Sequence, residues 1–231
     1  MAEARRGHPR GPYRKRKASR WEWTPEIAYA VGLIATDGCL SPSGRHISVS
    51  SAERVVLETF LNCIGRRAKI STVIGGFGTK GLRVQIGDLG LYRWLQSIGL
   101  TPRKSLTLGA IDAPTDVFAH VVRGLLDGDG SILDVTYEGT GKARGRRYRT
   151  LLVRFTSASR DHVTWLRGRI ASQFGLSGGV WCEDGIYYLT YAKRASRRLL
   201  PLLYPDPGVP CIERKRQVWL NFEGEAGAPT L

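Results

Sequence analysis

An α+β chain of two pseudo-symmetric α-β-β-α-β-β-α repeats, each with a four-stranded antiparallel sheet, is the fold class this sequence predicts. Three observations predict it. The segment Val31-Gly32-Leu33-Ile34-Ala35-Thr36-Asp37-Gly38 returns as Arg123-Gly124-Leu125-Leu126-Asp127-Gly128-Asp129-Gly130, with the leading glycines 92 residues apart. After each copy the apolar pattern alternates between helical and strand periods in the same order. The chain has 231 residues, 42% hydrophobic and 24% charged, which is the composition of a folded protein able to bury a core.

The elements follow in order. Thr24-Pro25-Glu26 starts a helix, with an N-cap hydroxyl, proline at the first turn and an acid beside it. That helix runs to Asp37, where Gly38 is expected to stop it as a left-handed cap. A polar turn, Ser41-Pro42-Ser43-Gly44, leads into a strand over 45–51. An amphipathic helix is predicted over 52–65, then strands near 68–74 and 81–87 around a glycine-rich loop, then a helix over 89–98. In the second repeat a helix covers 115–128 and strands cover 131–137 and 147–157, separated by a Gly/Arg-rich insertion. A helix over 160–174, a hairpin of strands 179–183 and 186–191, and a helix over 196–203 complete it. The division is a disordered basic arm at 1–20, a first repeat at 21–110, a second at 111–222 and a flexible tail at 223–231.

Charge gives the first functional signal. The chain carries 35 Lys and Arg against 20 Asp and Glu, a formal net charge of +15. The arm contributes eight bases and one acid, so the folded body is basic as well. A basic body with an Arg-rich arm is the footprint of a polyanionic partner. No run reaches the roughly 18 apolar residues of a membrane span, and no apolar stretch follows the basic N-terminus as in a signal peptide. Cys39, Cys63, Cys182 and Cys211 show no CxxC spacing, which disfavours zinc ribbons and indicates a reducing compartment. The expected location is the cytoplasm, at the nucleoid, with an organelle as the alternative.

Each repeated helix ends in an aspartate, Asp37 or Asp129. An acid there faces the negative end of the helix dipole, at a cost of roughly 0.3–1 kcal/mol. Ala28, Gly32, Gly124 and Gly128 are small enough to let the two helices meet backbone to backbone, which would bring the two carboxylates side by side. Their repulsion, roughly 3 kcal/mol at close range, is what a divalent cation offsets, and oxygen ligands favour Mg²⁺ over zinc. Asp127-Gly128-Asp129-Gly130-Ser131 also imitates a calcium-binding loop, but Ile132 stands where that loop needs glycine.

The two segments resemble the LAGLIDADG motif of homing endonucleases, written once per repeat over about residues 24–220. The resemblance implies a monomeric, site-specific DNA endonuclease. The motif helices would form the interface, Asp37 and Asp129 would bind Mg²⁺ (Mn²⁺ as substitute), and each sheet would be a saddle on double-stranded DNA. Ala35 departs from the motif, where the second copy has Asp127. The resemblance also places a basic residue beside each metal site, and Lys104 and Lys215 are the candidates for stabilising the transition state. Expected DNA contacts are Arg45, Ser48, Ser50, Lys69, Lys80, Arg83 and Gln85 in the first half. In the second they are Arg146, Arg147, Arg149, Arg154 and Tyr187. These assignments depend on strand register, because a one-residue slip turns every side chain to the other face. Trp181 is read as a packing residue. The alternatives are a non-cleaving DNA-binding regulator, or a maturase acting on intron RNA, on the same scaffold.

Overall fold

The computed structural model describes residues 21–74 and 78–226. The arm at 1–20 and part of the glycine-rich loop lie outside the described residues.

In the first half, helix α1 (Pro25–Asp37) is followed by strands β1 (Gly38–Leu40) and β2 (Ile47–Ser51) and helix α2 (Arg54–Cys63). Strands β3 (Ile70–Ile74) and β4 (Lys80–Ile86) and helix α3 (Leu89–Ser97) complete it. The second half repeats the order with α4 (Phe118–Asp127), β5 (Ser131–Glu138), β6 (Arg147–Ser157), α5 (Arg160–Phe174), β7 (Gly179–Glu183), β8 (Ile186–Tyr191) and α6 (Lys193–Leu203). The sheets have the same antiparallel order, β1-β2-β4-β3 and β5-β6-β8-β7. This is the predicted architecture.

Local chemistry accounts for the helix starts. The Thr24 hydroxyl accepts from Ile27 N at 3.2 Å, and the Asp88 carboxylate caps α3 by accepting from Leu91 N at 2.9 Å. Helix α1 is buried from Ile27 to Ala35, because α4 covers one side and the first sheet and α2 cover others. One continuous core joins both halves. Phe60, Leu57 and Val49 come from the first, and Phe118, Val153 and Leu166 from the second. Each such side chain contributes about 1.5–3 kcal/mol of burial.

Three expectations need correction. Gly38 is extended, with φ −94° and ψ 156°, so it is not a left-handed cap. Glycine is needed there because a Cβ would lie 2.6 Å from the Ile34 backbone. The chain therefore passes straight from α1 into the three-residue strand β1. Second, a further helix, α7 (Glu213–Ala226), runs through the start of the expected tail. Phe222 anchors it in the core, and Glu223 pairs with Arg197 at 2.6 Å. Third, α6 begins three residues before the expected Ser196, at Lys193.

Candidate active site and nucleic-acid interface

The two motif helices cross at their glycines. A Cβ on Gly32 would lie 2.7 Å from the Gly124 backbone, and one on Gly124 would lie 2.9 Å from the Gly32 Cα. Ala28 is fully buried one turn before Gly32. Gly128 faces Thr36, and a Cβ on it would lie 2.8 Å from Asp37 Oδ2. The small residues thus do what the sequence suggests, and they carry the end of α1 onto the end of α4.

That crossing brings Asp37 and Asp129 into one electrostatic site. Burial, and then the charge of Asp129, push the Asp37 carboxyl up from 3.8 to about 6. Burial raises Asp129 too, while Lys104 and Lys215 pull it down. Thr36 Oγ1 donates to Asp37 at 3.2 Å. Among the described residues, no group of three or more His, Cys, Asp or Glu side chains could hold a metal. A half-buried Asp37 and an exposed Asp129 without a full protein cage fit a hard cation that takes its remaining ligands from water and phosphate, which is the habit of Mg²⁺.

Lys104 and Lys215 are both buried beside these acids, and burial lowers the pKa of each. Their hydrogen bonds differ. Lys104 Nζ donates to Gly38 O at 2.6 Å. Lys215 Nζ lies within hydrogen-bond distance of four carbonyls at the end of α4: Leu126 (2.9 Å), Asp127 (2.6 Å), Gly128 (2.9 Å) and Gly130 (2.7 Å). It caps the negative end of the helix and clamps the backbone on both sides of Asp129. With three protons and four carbonyls around it, Lys215 has no proton left for a phosphate.

Asp127 sits in the interior. Its carboxylate accepts from Tyr29 Oη (2.9 Å), Tyr204 Oη (2.9 Å) and Ile212 N (2.8 Å). Burial raises its pKa against those three donors. Arg123 is also buried and donates to Leu203 O and Pro210 O, both at 2.8 Å. This network joins the first motif helix to the segment before α7, which explains why the second motif keeps an acid where the first has Ala35.

Each sheet turns one face to the helices and leaves the other open. On the first sheet, Val49 and Val84 point to the core, so Ser48, Ser50, Arg83 and Gln85 lie on the open face as expected. Arg83 Nε donates to Ser50 Oγ at 3.1 Å. Lys69 and Arg45 are exposed just ahead of β3 and β2. Lys80, however, shares its face with Leu82 and Val84, at the strand's start.

On the second sheet Arg154 lies on the open face, opposite Ser131 and Thr190. Arg146 is exposed in the loop before β6. Arg147 and Arg149 fall in register with Leu151 and Val153, on the helix-covered side. Arg149 pairs there with Asp134 and with Glu225, and lies over the Phe222 ring. Tyr187 is likewise on the covered side and packs on the core. The sequence reading slipped by one residue at these positions. The open-face residues it missed are Tyr188 and Trp181, which stack at 4.2 Å. The signal was available: buried Leu189 and Tyr191 fix 187 inward, and that leaves 188 outward.

The arrangement matches known structures. The homing endonuclease I-WcaI bound to its DNA recognition sequence superimposes with a TM-score of 0.59 at 11% identity, over 90% of this chain and 94% of that one. This is the two-repeat LAGLIDADG fold. The LAGLIDADG meganuclease I-AabMI bound to uncleaved DNA gives 0.58 at 13% identity, over 88% and 91% of the two chains. Full-length DUF199/WhiA from Thermatoga maritima gives 0.55 at 12% identity, over 93% of this chain and 65% of that one. No protein-family model and no curated protein matches the sequence.

Proposed function

We propose that the protein is a site-specific, Mg²⁺-dependent endonuclease of double-stranded DNA that acts as a monomer. One observation carries the reading: the crossing of two glycine-bearing helices sets Asp37 and Asp129 together between two open sheets. Burial and the charge of Asp129 work against the ionised form of Asp37, so this acid costs stability in the metal-free protein despite its hydrogen bond from Thr36. Asp37 and Asp129 would hold the cation, which supplies Lewis-acid activation of a water and of the phosphate. Lys104, bonded to one carbonyl, keeps protons to offer the scissile phosphate. Lys215 holds the Asp129 backbone in place rather than touching substrate. The DNA-bound state of I-WcaI and I-AabMI supports duplex DNA as the partner. The open faces, with Arg83, Gln85 and Arg154, have the side chains that read base edges in the major groove.

The test is a randomised duplex library incubated with Mg²⁺, with the cut ends sequenced, for wild type beside the Asp37→Asn/Asp129→Asn double variant. The expected result is a family of ends sharing one long motif, absent from the variant. Specific capture of duplexes with no cut ends in any divalent cation would instead make the protein a non-cleaving binder.

A further inference from the structure

Arg154 differs from the other basic residues of the second sheet. It projects from β6, an interior strand, so it points out of the middle of the open face rather than from its rim. Its guanidinium lies over two rings at once, 5.4 Å from the centroid of Trp181 and 5.6 Å from that of Tyr188. Those rings are stacked on each other with planes 17° apart, and Trp181 is 40% exposed. Arg154 Nε is buried with no hydrogen-bond partner, and among the described residues Arg154 joins no ion pair. Arg149, two residues earlier, is by contrast held by two carboxylates on the other face.

A guanidinium that is immobilised by aromatic stacking, partly stripped of water and free of acids is prepared for an external pair of acceptors. Two acceptor pairs fit the fork: a phosphate and the O6/N7 edge of guanine. Position decides between them. Phosphates line the rims of a groove, whereas a side chain from the centre of a sheet lying in the groove meets the base edges.

Resting on the DNA reading above, we infer that Arg154 specifies a guanine in the half-site under the second sheet, with Trp181 and Tyr188 as its positioning residues. The guanine falls close to the cleavage centre, because Arg154 is opposite Ser131, two residues beyond Asp129. The equivalent place in the first sheet, opposite the residue two beyond Asp37, is Ser48. The recognised sequence is therefore asymmetric there, with a fixed guanine on one side only.

The experiment is selection of bound duplexes from a randomised library by wild type, Arg154→Lys, Trp181→Ala and Trp181→Phe, with thermal unfolding of each as a folding control. Wild type is expected to enrich one guanine on one side of the centre. Arg154→Lys keeps the charge and loses the fork, so it should reduce that preference by about tenfold or more at that position alone. Trp181→Ala should weaken the same preference, and Trp181→Phe should restore most of it. Replacing the guanine by 7-deazaguanine should penalise wild type and not Arg154→Lys. Specific binding with the guanine preference unchanged in Arg154→Lys overturns the assignment alone, as does uniform weakening at every position, the signature of a phosphate contact. No sequence-specific duplex binding by wild type overturns the DNA reading and the assignment together.

Discussion

Lys104 of the first half donates to a single carbonyl, while Lys215 of the second sits among four. The end of α1 passes directly into β1 through an extended Gly38 and needs little capping. The end of α4 leaves carbonyls from Leu126 to Gly130 around one point, and the buried ammonium satisfies them. The sheets diverge as well. Where the first presents Ser50 and Arg83, the second presents Thr156 and Tyr188. Two carboxylates can thus occupy equivalent places while one half specialises in holding its backbone and the other keeps a freer cation. The two halves share the crossing and differ in what surrounds it.

The largest effect is expected at the element the halves share. Gly32→Val drives a side chain into the α4 backbone, which cannot yield, so it should destabilise by more than about 3 kcal/mol. Gly168→Val, where a Cβ meets nothing, should shift the urea midpoint little; similar losses at both would break the packing account.

Next come the lysines. Lys215→Ala strands four carbonyls and should cost about 2–4 kcal/mol, against about 1–2 kcal/mol for Lys104→Ala. On catalysis the order should reverse once stability is matched, with Lys104→Ala slowing single-turnover cleavage more. Equal denaturation midpoints would remove the asymmetry.

The Asp37 pKa is raised in the fold, from 3.8 to about 6, so its proton is bound more tightly there than in the unfolded chain. The stabilisation this confers is complete below about pH 4 and is lost as pH rises through 6. Asp37→Asn should therefore be more stable than wild type at pH 8 in chelator, by about 1–2 kcal/mol, with the gap closing near pH 4. A variant less stable than wild type at pH 8 would show that the Thr36 hydrogen bond and the nearby lysines outweigh the cost of burying the charge.

The smallest effect separates neighbouring tyrosines. Tyr187→Ala should lower stability by about 1 kcal/mol and leave duplex affinity alone. Tyr188→Ala should do the reverse, weakening the selected duplex while the melting temperature barely moves. A swapped outcome would reverse the strand register.

The repeat, the crossing glycines and the carboxylate pair were legible in the sequence because they obey local rules: a motif copied at fixed spacing, small residues on one helix face, an acid at a helix end. Strand faces were legible where apolar and polar residues alternate cleanly, as at Ile47 to Ser50 and Val84 to Ile86. They were illegible in Tyr187-Tyr188, where both side chains are amphipathic, and in Arg147-Tyr148-Arg149, where Asp134 of β5 and Glu225 of α7 draw Arg149 to the covered face. Helix α7 itself was missed because Glu223 and Glu225 look like a solvated tail until Arg197 and Arg149 appear opposite them. The carbonyl cage around Lys215 involves residues more than 80 positions apart in sequence, and no local pattern announces it.

The most direct test of the central claim takes the duplex selected by wild type and follows cutting by Asp37→Asn and Asp129→Asn separately. If the two carboxylates form one centre, each single variant binds the duplex within about threefold of wild type and makes no double-strand break in Mg²⁺. Full double-strand cutting by either variant, or loss of binding equal to the loss of cutting, would contradict it.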